Sequence, residues 1–237
     1  MLACAGIALF LGFMALGTWQ MQRRAWKLDL IARVEQRLHA APSALPPPAE
    51  WPRVDAAGYE YRSVRVQGRW LADKTVLTQA STDLGSGFWV LTPLQTADGT
   101  QVLINRGFVP QRAAWPPSSD TAQIVGLLRM SEPGGGFLRH NDPAQQRWYS
   151  RDVAAIAQAQ GLARAAPFFV DAGIPGSQPV ALPENTASQG PWPRPGLTIV
   201  RFPNSHLVYA LTWYGLALLT VVAGWLVARH ERRLRQA

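Results

Sequence analysis

The segment "PNSHLVYALTWYGLALLTVVAGWLVAR", residues 203–229, contains an apolar run long enough to cross a bilayer, and the run is entered through a polar group that includes His206. From Leu207 to Ala228 no side chain carries a formal charge. Because about 20 apolar residues span the hydrocarbon core, we predict a transmembrane helix over residues 206–228. The basic tail that follows, residues 229–237, favours the cytoplasm for this end of the chain.

A second uncharged stretch, "MLACAGIALFLGFMALGTWQ", occupies residues 1–20 and predicts a second transmembrane helix. We expect an uncleaved anchor, because no basic segment precedes the stretch and it lacks the cleavage site of a signal peptide. Residues 21–40 continue it as a juxtamembrane amphipathic helix. Trp19, Arg23 and Trp26 share one face of that helix, which interfacial anchoring explains without any ligand.

The part between the two spans, residues 41–205, is predicted to be a sheet-rich domain outside the membrane. Its Pro-rich start, residues 41–53, predicts a stiff linker. Strand-like runs follow: "SVRVQGRW", "TVLTQ", "GFWVLTPLQ", "QVLINRGFVP" and "AQIVGLLRM". The Asp98-Gly99 pair between the third and fourth runs predicts a hairpin. The predicted fold class is therefore a membrane protein with two transmembrane α-helices flanking an extramembrane α+β domain dominated by an antiparallel sheet or small β-barrel.

Further local signals lie in the second half of this domain. Ser150 is placed to cap a helix in "RDVAAIAQAQ", with Asp152 in its first turn and Gly161 at its end. "PFFVDAG" predicts another strand, and residues 174–196 form a Pro-rich loop. The segment Asn105-Arg106-Gly107 indicates a hydrogen-bonded corner or a bulge near a strand end.

Composition excludes several chemistries. The only cysteine, Cys4, lies in the first apolar stretch, so the domain has no disulfide, no CxxC metal site and no thiol nucleophile. Asp142 and Asp152 each have a structural role, in a turn and at a helix start, and this makes acid/base catalysis a poor hypothesis. The net charge of +8 favours the lipid bilayer or an anionic ligand. No signature of nucleic-acid binding accompanies it.

One face of the second apolar helix suits close packing against another helix. Helical spacing places on that face His206, Ala210, Trp213, Ala217, Thr220 and Gly224. The three small residues, seven apart, permit a close approach. His206 alone is explained by an interfacial imidazole that hydrogen-bonds to a headgroup or caps the other helix.

Neighbouring residues favour a ligand at His206. Tyr209 and Trp213 offer aromatic surface one and two turns deeper, and Arg194 and Arg201 lie just outside the span. An iron porphyrin requires an axial nitrogen ligand, apolar walls and cations for its propionates. A site headed by His206 would therefore suit a haem.

Four segments carry a resemblance to a known family: "LGTWQMQRRAWK", "GFWVLTPLQTADGTQVLINRGFVP", "FLRHNDPAQQRWYSRDVAAIA" and "PNSHLVYALTWYGLA". In this order between two spans, they resemble the Surf1/Shy1 family of cytochrome c oxidase assembly proteins over nearly the whole chain. The departures are small. Phe108 stands where tryptophan is common, and Ser150 stands where the family usually has an aromatic residue.

The resemblance implies an assembly factor, not an enzyme, that binds haem a and assists its insertion into oxidase subunit I, with haem a synthase as a further expected partner. It implies His206 as the ligand of the haem iron. Arg23, Arg24 and Arg201 are the expected propionate contacts. We expect the bacterial plasma membrane, with the central domain periplasmic and both termini cytoplasmic. The alternative is a non-haem membrane scaffold that stabilises immature oxidase subunits, and a membrane-bound enzyme ranks third.

Overall fold

The protein is described by a computed structural model that covers residues 2–136, 138–175, 192–200 and 202–236. It contains two compact units. One unit is formed by Met1–Arg33 with Arg201–Ala237, and the other by Val34–Val200.

The first unit contains two long helices: α1 (Leu2–His39), up to Arg33, and the whole of α4 (His206–Gln236). At 1.5 Å per residue their 38 and 31 residues extend about 57 and 46 Å. Both exceed the hydrocarbon thickness of about 30 Å. Both are also apolar enough to cross a membrane, and few of their apolar side chains are buried. As expected for residues 21–40, α1 continues past residue 20 without a break and ends at His39, whereas α4 continues past residue 228, the predicted end of the second span.

The second unit is built on a seven-stranded mixed sheet. The strands are β1 (Ser43–Ala44), β2 (Ser63–Trp70), β3 (Val76–Thr82), β4 (Gly85–Gln95), β5 (Gln101–Val109), β6 (Thr121–Met130) and β7 (Ala165–Ala172). Strands β2, β6, β7, β5 and β4 close into a barrel through the β2–β4 pairing, and β1 and β3 extend it at its two sides. Most pairs are antiparallel, but β5 pairs with β7 and β1 with β2 in parallel. The predicted sheet or small barrel is confirmed.

Short helices complete the unit: α2 (Ala56–Tyr59), α3 (Val153–Ala159) and 3-10 helices at Pro48–Arg53 and Ala72–Lys74. The Asp98-Gly99 hairpin is confirmed, since these residues form the β4–β5 turn and Gly99 has φ of +80°. The prediction that Ser150 caps α3 is wrong. Asp152 accepts the hydrogen bond from the Ala155 amide, and the Ser150 hydroxyl accepts from Gly135 N and from the side chain of Asn141.

The Pro-rich start of the domain is attached to the barrel, which corrects the prediction of a stiff linker. Ser43 pairs with Val64 as part of β1, and the Trp51 ring packs edge-on against Phe168 with centroids 6.4 Å apart. Leu45 also packs against the core. Burial of these apolar side chains outweighs the tendency of a Pro-rich segment to stay extended in water.

Two apolar clusters fill the domain, and the alternation along the strands separates them. Ile104, Phe168 and Val170 belong to the cluster shared by all five barrel strands, whereas Leu103 and Phe169 point to the opposite face. On that second face the sheet is covered by α3. Most of the predicted loop 174–196 lies outside the described residues.

Candidate functional site

The two long helices pack through a face of small and ring-bearing residues. On α4, Ala210 and Ala217 are fully buried. On α1, Gly17 lies so close to the Tyr214 ring that a Cβ at Gly17 would fall 2.5 Å from Tyr214 Cε1. The Tyr214 hydroxyl is 3.3 Å from the Thr18 hydroxyl, so polar contacts accompany the packing. The structure therefore places the face that contains His206 against α1. At the far end of this face Gly224 is exposed.

His206 is half-buried at the first residue of α4 and contacts α1 through a hydrogen bond. Its Nδ1 lies 2.8 Å from Oε1 of Gln20. Within the described parts of the chain, Nε2 has no hydrogen-bond partner. The imidazole thus has one nitrogen held by the other helix and one nitrogen left to accept a ligand. Gln20 was not singled out from the sequence, although it lies inside the segment "LGTWQMQRRAWK".

Of the two predicted aromatic neighbours, Trp213 packs against an aromatic ring of α1. Its indole stacks on Phe13, with ring centroids 5.8 Å apart and planes 24° apart. Tyr209 is 54% exposed. Aromatic surface at the helix pair is therefore supplied by Trp213 and Phe13, and Phe13 was also missed in the sequence.

The predicted cations differ in their surroundings. Arg23 is exposed, with its guanidinium 4.3 Å from the centre of the Trp26 ring, as the interfacial explanation requires. Arg24 is half-buried and follows Gln20 by one helical turn, so it lies on the same face of α1. Arg201 lies outside the described residues.

A polar atom beside His206 is buried without a partner. Oδ1 of Asn204 makes no hydrogen bond to any residue that the structure describes. A buried carbonyl oxygen without a donor is unfavourable by about 1–3 kcal/mol.

At the opposite end of the pair, the helices line an apolar groove of about 680 Å³. Small residues contribute much of its surface, among them Ala3, Gly6, Gly224 and Ala228. Glu231 is the charged residue in the lining.

The sheet domain contains a buried ion cluster that the sequence did not reveal. Asp171, 3% exposed on β7, accepts hydrogen bonds at both carboxylate oxygens. Oδ1 accepts from Asn105 Nδ2 at 2.7 Å and from Arg151 Nη1 at 3.2 Å. Oδ2 accepts from Arg129 Nη1 at 3.0 Å and from the Thr198 hydroxyl at 2.9 Å. Asn105 thus forms the hydrogen-bonding corner that was one of its two predicted roles.

Two further carboxylates complete the cluster. Glu60 accepts from Arg129 Nε at 2.9 Å, and Glu132 accepts from Arg151 Nε at 2.9 Å. Burial lowers the pKa of the Arg129 guanidinium, but the charge of Asp171 and the other acidic neighbours outweighs burial and leaves this pKa raised. Arg129 therefore remains charged, and Asp171 and Glu60 balance its charge.

The cluster forms one wall of a pocket of about 240 Å³, together with Trp89 and Thr198. The lining contains two arginines and two aspartates, Asp83 and Asp171, so the pocket has no excess positive charge that would favour an anion. We interpret the cluster as a structural connection between β7, β6 and the segment that precedes α4. Asp142 and Asp152 also have structural roles, since each accepts a backbone N–H bond, from Gln145 and Ala155 respectively.

Metal sites made of several protein ligands do not occur among the residues described. They contain no group of three His, Cys, Asp or Glu side chains that could hold an ion. A ligand that requires one protein nitrogen, as haem does, is compatible with the single imidazole of His206.

A barrel-like sheet domain with terminal helices that are long and apolar enough to cross a bilayer defines a candidate membrane protein with an extramembrane domain. The family model described as the SURF1 family matches residues 7–218, and the chain belongs to this family. It is 37% identical to mouse Surfeit locus protein 1 over 227 residues, which cover 86% of this chain and 68% of the relative. The human protein of the same name is 34% identical over 228 residues, which cover 86% of this chain and 70% of the human protein. A SURF1-like protein of Monosiga brevicollis is 34% identical over 235 residues, which cover 91% of this chain and 83% of that relative.

Proposed function

We propose that this protein is an assembly factor for cytochrome c oxidase that carries haem a and assists its insertion into subunit I. The observation that carries the proposal is the imidazole of His206, held at Nδ1 by the other helix and without a described partner at Nε2. Membership of the SURF1 family supports the assembly role.

In this proposal haem is a cargo, and the chain supplies one ligand and a surrounding surface. Nε2 of His206 binds the iron, because a neutral imidazole nitrogen is a common axial ligand. Trp213 and Tyr209 provide aromatic surface. Arg24 is the best placed propionate contact because it shares the α1 face of Gln20. Arg23 and Arg201 remain predicted contacts.

A single protein ligand to the iron suits a carrier that must release haem as well as bind it. A single histidine ligand, with water or a side chain of the partner on the opposite side of the iron, binds less firmly than two protein ligands. Release to subunit I then requires the loss of only one protein–iron bond. Haem a synthase is the proposed source of the cargo.

We propose the bacterial plasma membrane as the location, with α1 and α4 as spans, the sheet domain periplasmic and both termini cytoplasmic. The arginines of the tail after residue 228 support this orientation. A reporter fused after residue 237 that is active only outside the cytoplasm is expected to be inactive, and an active reporter would reverse the orientation.

The second candidate function is that of a non-haem scaffold that binds and stabilises immature oxidase subunits. The observation that favours it is the apolar groove between the ends of α1 and α4, whose small residues suit a helix of another protein. In this alternative the polar contact at His206 serves only to pair the two helices.

The two functions differ in their response to His206→Ala. We expect cells carrying this variant to accumulate oxidase subunit I that lacks its haem a. His230→Ala is the matched control, because His230 is exposed on the same helix. Normal haem content of subunit I in the His206→Ala strain would refute haem carriage and favour the scaffold.

A further inference from the structure

The hydrogen bond between His206 and Gln20 determines which imidazole nitrogen can bind a metal. Oε1 of the glutamine amide accepts hydrogen bonds and cannot donate them. With Oε1 of Gln20 placed 2.8 Å from it, Nδ1 of a neutral ring is assigned as the N–H donor. The lone pair then belongs to Nε2, the nitrogen without a described partner.

We infer that Gln20 is a positioning residue that presents Nε2 of His206 to the iron. The inference rests on the proposed haem function, but the hydrogen bond itself can be tested without haem. Metal-binding histidines commonly donate their second N–H to an oxygen acceptor. Such an acceptor fixes the tautomer and the ring orientation and makes the ligating nitrogen more basic.

The position of Gln20 favours this role over solvation of the amide by water. Gln20 is half-buried, and it lies one turn from Gly17, which packs directly against the Tyr214 ring of α4. Gln22, two residues further along α1, is exposed. Packing between the two helices shields this contact partly from water, so it can hold the ring in one orientation.

The proposed ligand site therefore depends on residues from both helices. His206 supplies the nitrogen from α4, and Gln20 of α1 determines how that nitrogen is presented. Separation of the helices removes the acceptor and allows the ring to rotate and to change tautomer.

The first test measures the tautomer in the full chain without haem. We propose ¹⁵N NMR of histidine-labelled protein in nanodiscs, in alkaline buffer that keeps the rings neutral. His206→Ala assigns the signal among the four histidines. The wild type is expected to show protonated Nδ1, and Gln20→Leu is expected to shift the ring to the other tautomer.

Two variants separate this effect from general damage to the helix. Gln20→Glu keeps an oxygen acceptor and is expected to retain protonated Nδ1. Gln22→Leu makes the same change as Gln20→Leu at an exposed position and is expected to match the wild type. A Gln20→Leu spectrum identical to the wild type, or protonated Nε2 in the wild type, would overturn the inference.

The second test measures binding by titration of the same samples with haemin. Loss of an acceptor behind a metal-binding histidine weakens metal binding by about 10- to 100-fold, and we expect this loss for Gln20→Leu but not for Gln20→Glu. Unchanged haemin affinity in Gln20→Leu would overturn the positioning role. A wild type that binds no haemin but shows protonated Nδ1 would refute haem carriage while establishing the hydrogen bond.

Discussion

Replacement of Asp171 by alanine is expected to destabilise the sheet domain more than any surface substitution. The carboxylate is 3% exposed and accepts four hydrogen bonds, two of them from the charged guanidinium groups of Arg129 and Arg151. The alanine variant leaves both arginines partly buried with one carboxylate fewer between them.

The magnitude follows from the cost of an uncompensated buried charge. Removal of one partner of a buried ion pair costs about 3–5 kcal/mol. For a domain of about 150–250 residues, 1 kcal/mol shifts the Tm by about 2–4 °C. The expected decrease in Tm is therefore about 6–20 °C. Asp171→Asn retains one carbonyl acceptor, so we expect it to lie between the wild type and Asp171→Ala.

Thermal unfolding of the full chain in detergent, followed by circular dichroism, measures this decrease. Hydrogen exchange of peptides from β6 and β7 then shows whether the loss is localised where Arg129 and Asp171 meet. Asp83→Ala is the control because Asp83 is an exposed carboxylate in the β3–β4 turn. A decrease in Tm no larger for Asp171→Ala than for Asp83→Ala would refute the reasoning.

Three further predictions concern the helix pair, the barrel and the hairpin turn. Gly17→Leu is expected to separate α1 from α4, because its Cβ would meet Tyr214; distances between spin labels on the two helices should increase, while Gly12→Leu, with open space around it, should leave them unchanged. Gly107→Ala places a side chain at φ +128° and against the Arg194 backbone. The backbone strain alone costs about 1–3 kcal/mol, and the clash adds to it, so we expect the free energy of unfolding, measured by denaturant titration, to fall by more than the strain alone. An unchanged free energy of unfolding would contradict the described close approach. Hydrogen bonds from Thr96 and Thr100 lower the pKa of Asp98 from 3.8 to about 2, so this group stabilises the fold above about pH 4 and the benefit is lost as the pH falls through about 2. Stability measured across this window should fall less steeply in Asp98→Asn, and an equal slope would contradict the shift.

Local patterns in the sequence predicted much of the secondary structure. The alternation in "SVRVQGRW" corresponds to β2 over Ser63–Trp70, and Asp98-Gly99 does form the predicted turn. The face of α4 was predictable for Ala210 and Ala217, because helical spacing depends only on residues near in sequence. Trp89 lies opposite Phe108, one residue beyond the partner that an uninterrupted hairpin would give it, because the register shifts between the Leu91–Asn105 and Trp89–Phe108 pairs. The shift falls at Asn105-Arg106-Gly107, where a bulge was one of the two predicted features.

Features that depend on distant parts of the chain could not be predicted. Asp171 meets Arg129 only because β7 pairs with β6, and no local pattern encodes this register. The parallel pairing of β5 with β7 has the same cause. Gln20 and His206 are separated by most of the chain, so spacing could show a packing face on α4 but not which side chain of α1 meets it.

The capping error has a local cause. Ser150 and Asp152 are both good helix caps by residue type, so type alone could not distinguish them. In the structure the Ser150 hydroxyl accepts from Gly135 and Asn141, which leaves the cap to Asp152.

The most direct test of haem carriage is the absorption spectrum of the purified full-length protein after co-expression with the enzymes of haem a synthesis. His206→Ala and His230→Ala are prepared identically for comparison. We predict a Soret band and the visible bands of haem a in the wild type and in His230→Ala, with both lost in His206→Ala. A colourless wild type, or undiminished haem in His206→Ala, would contradict the assignment of His206 as the ligand of a haem carrier.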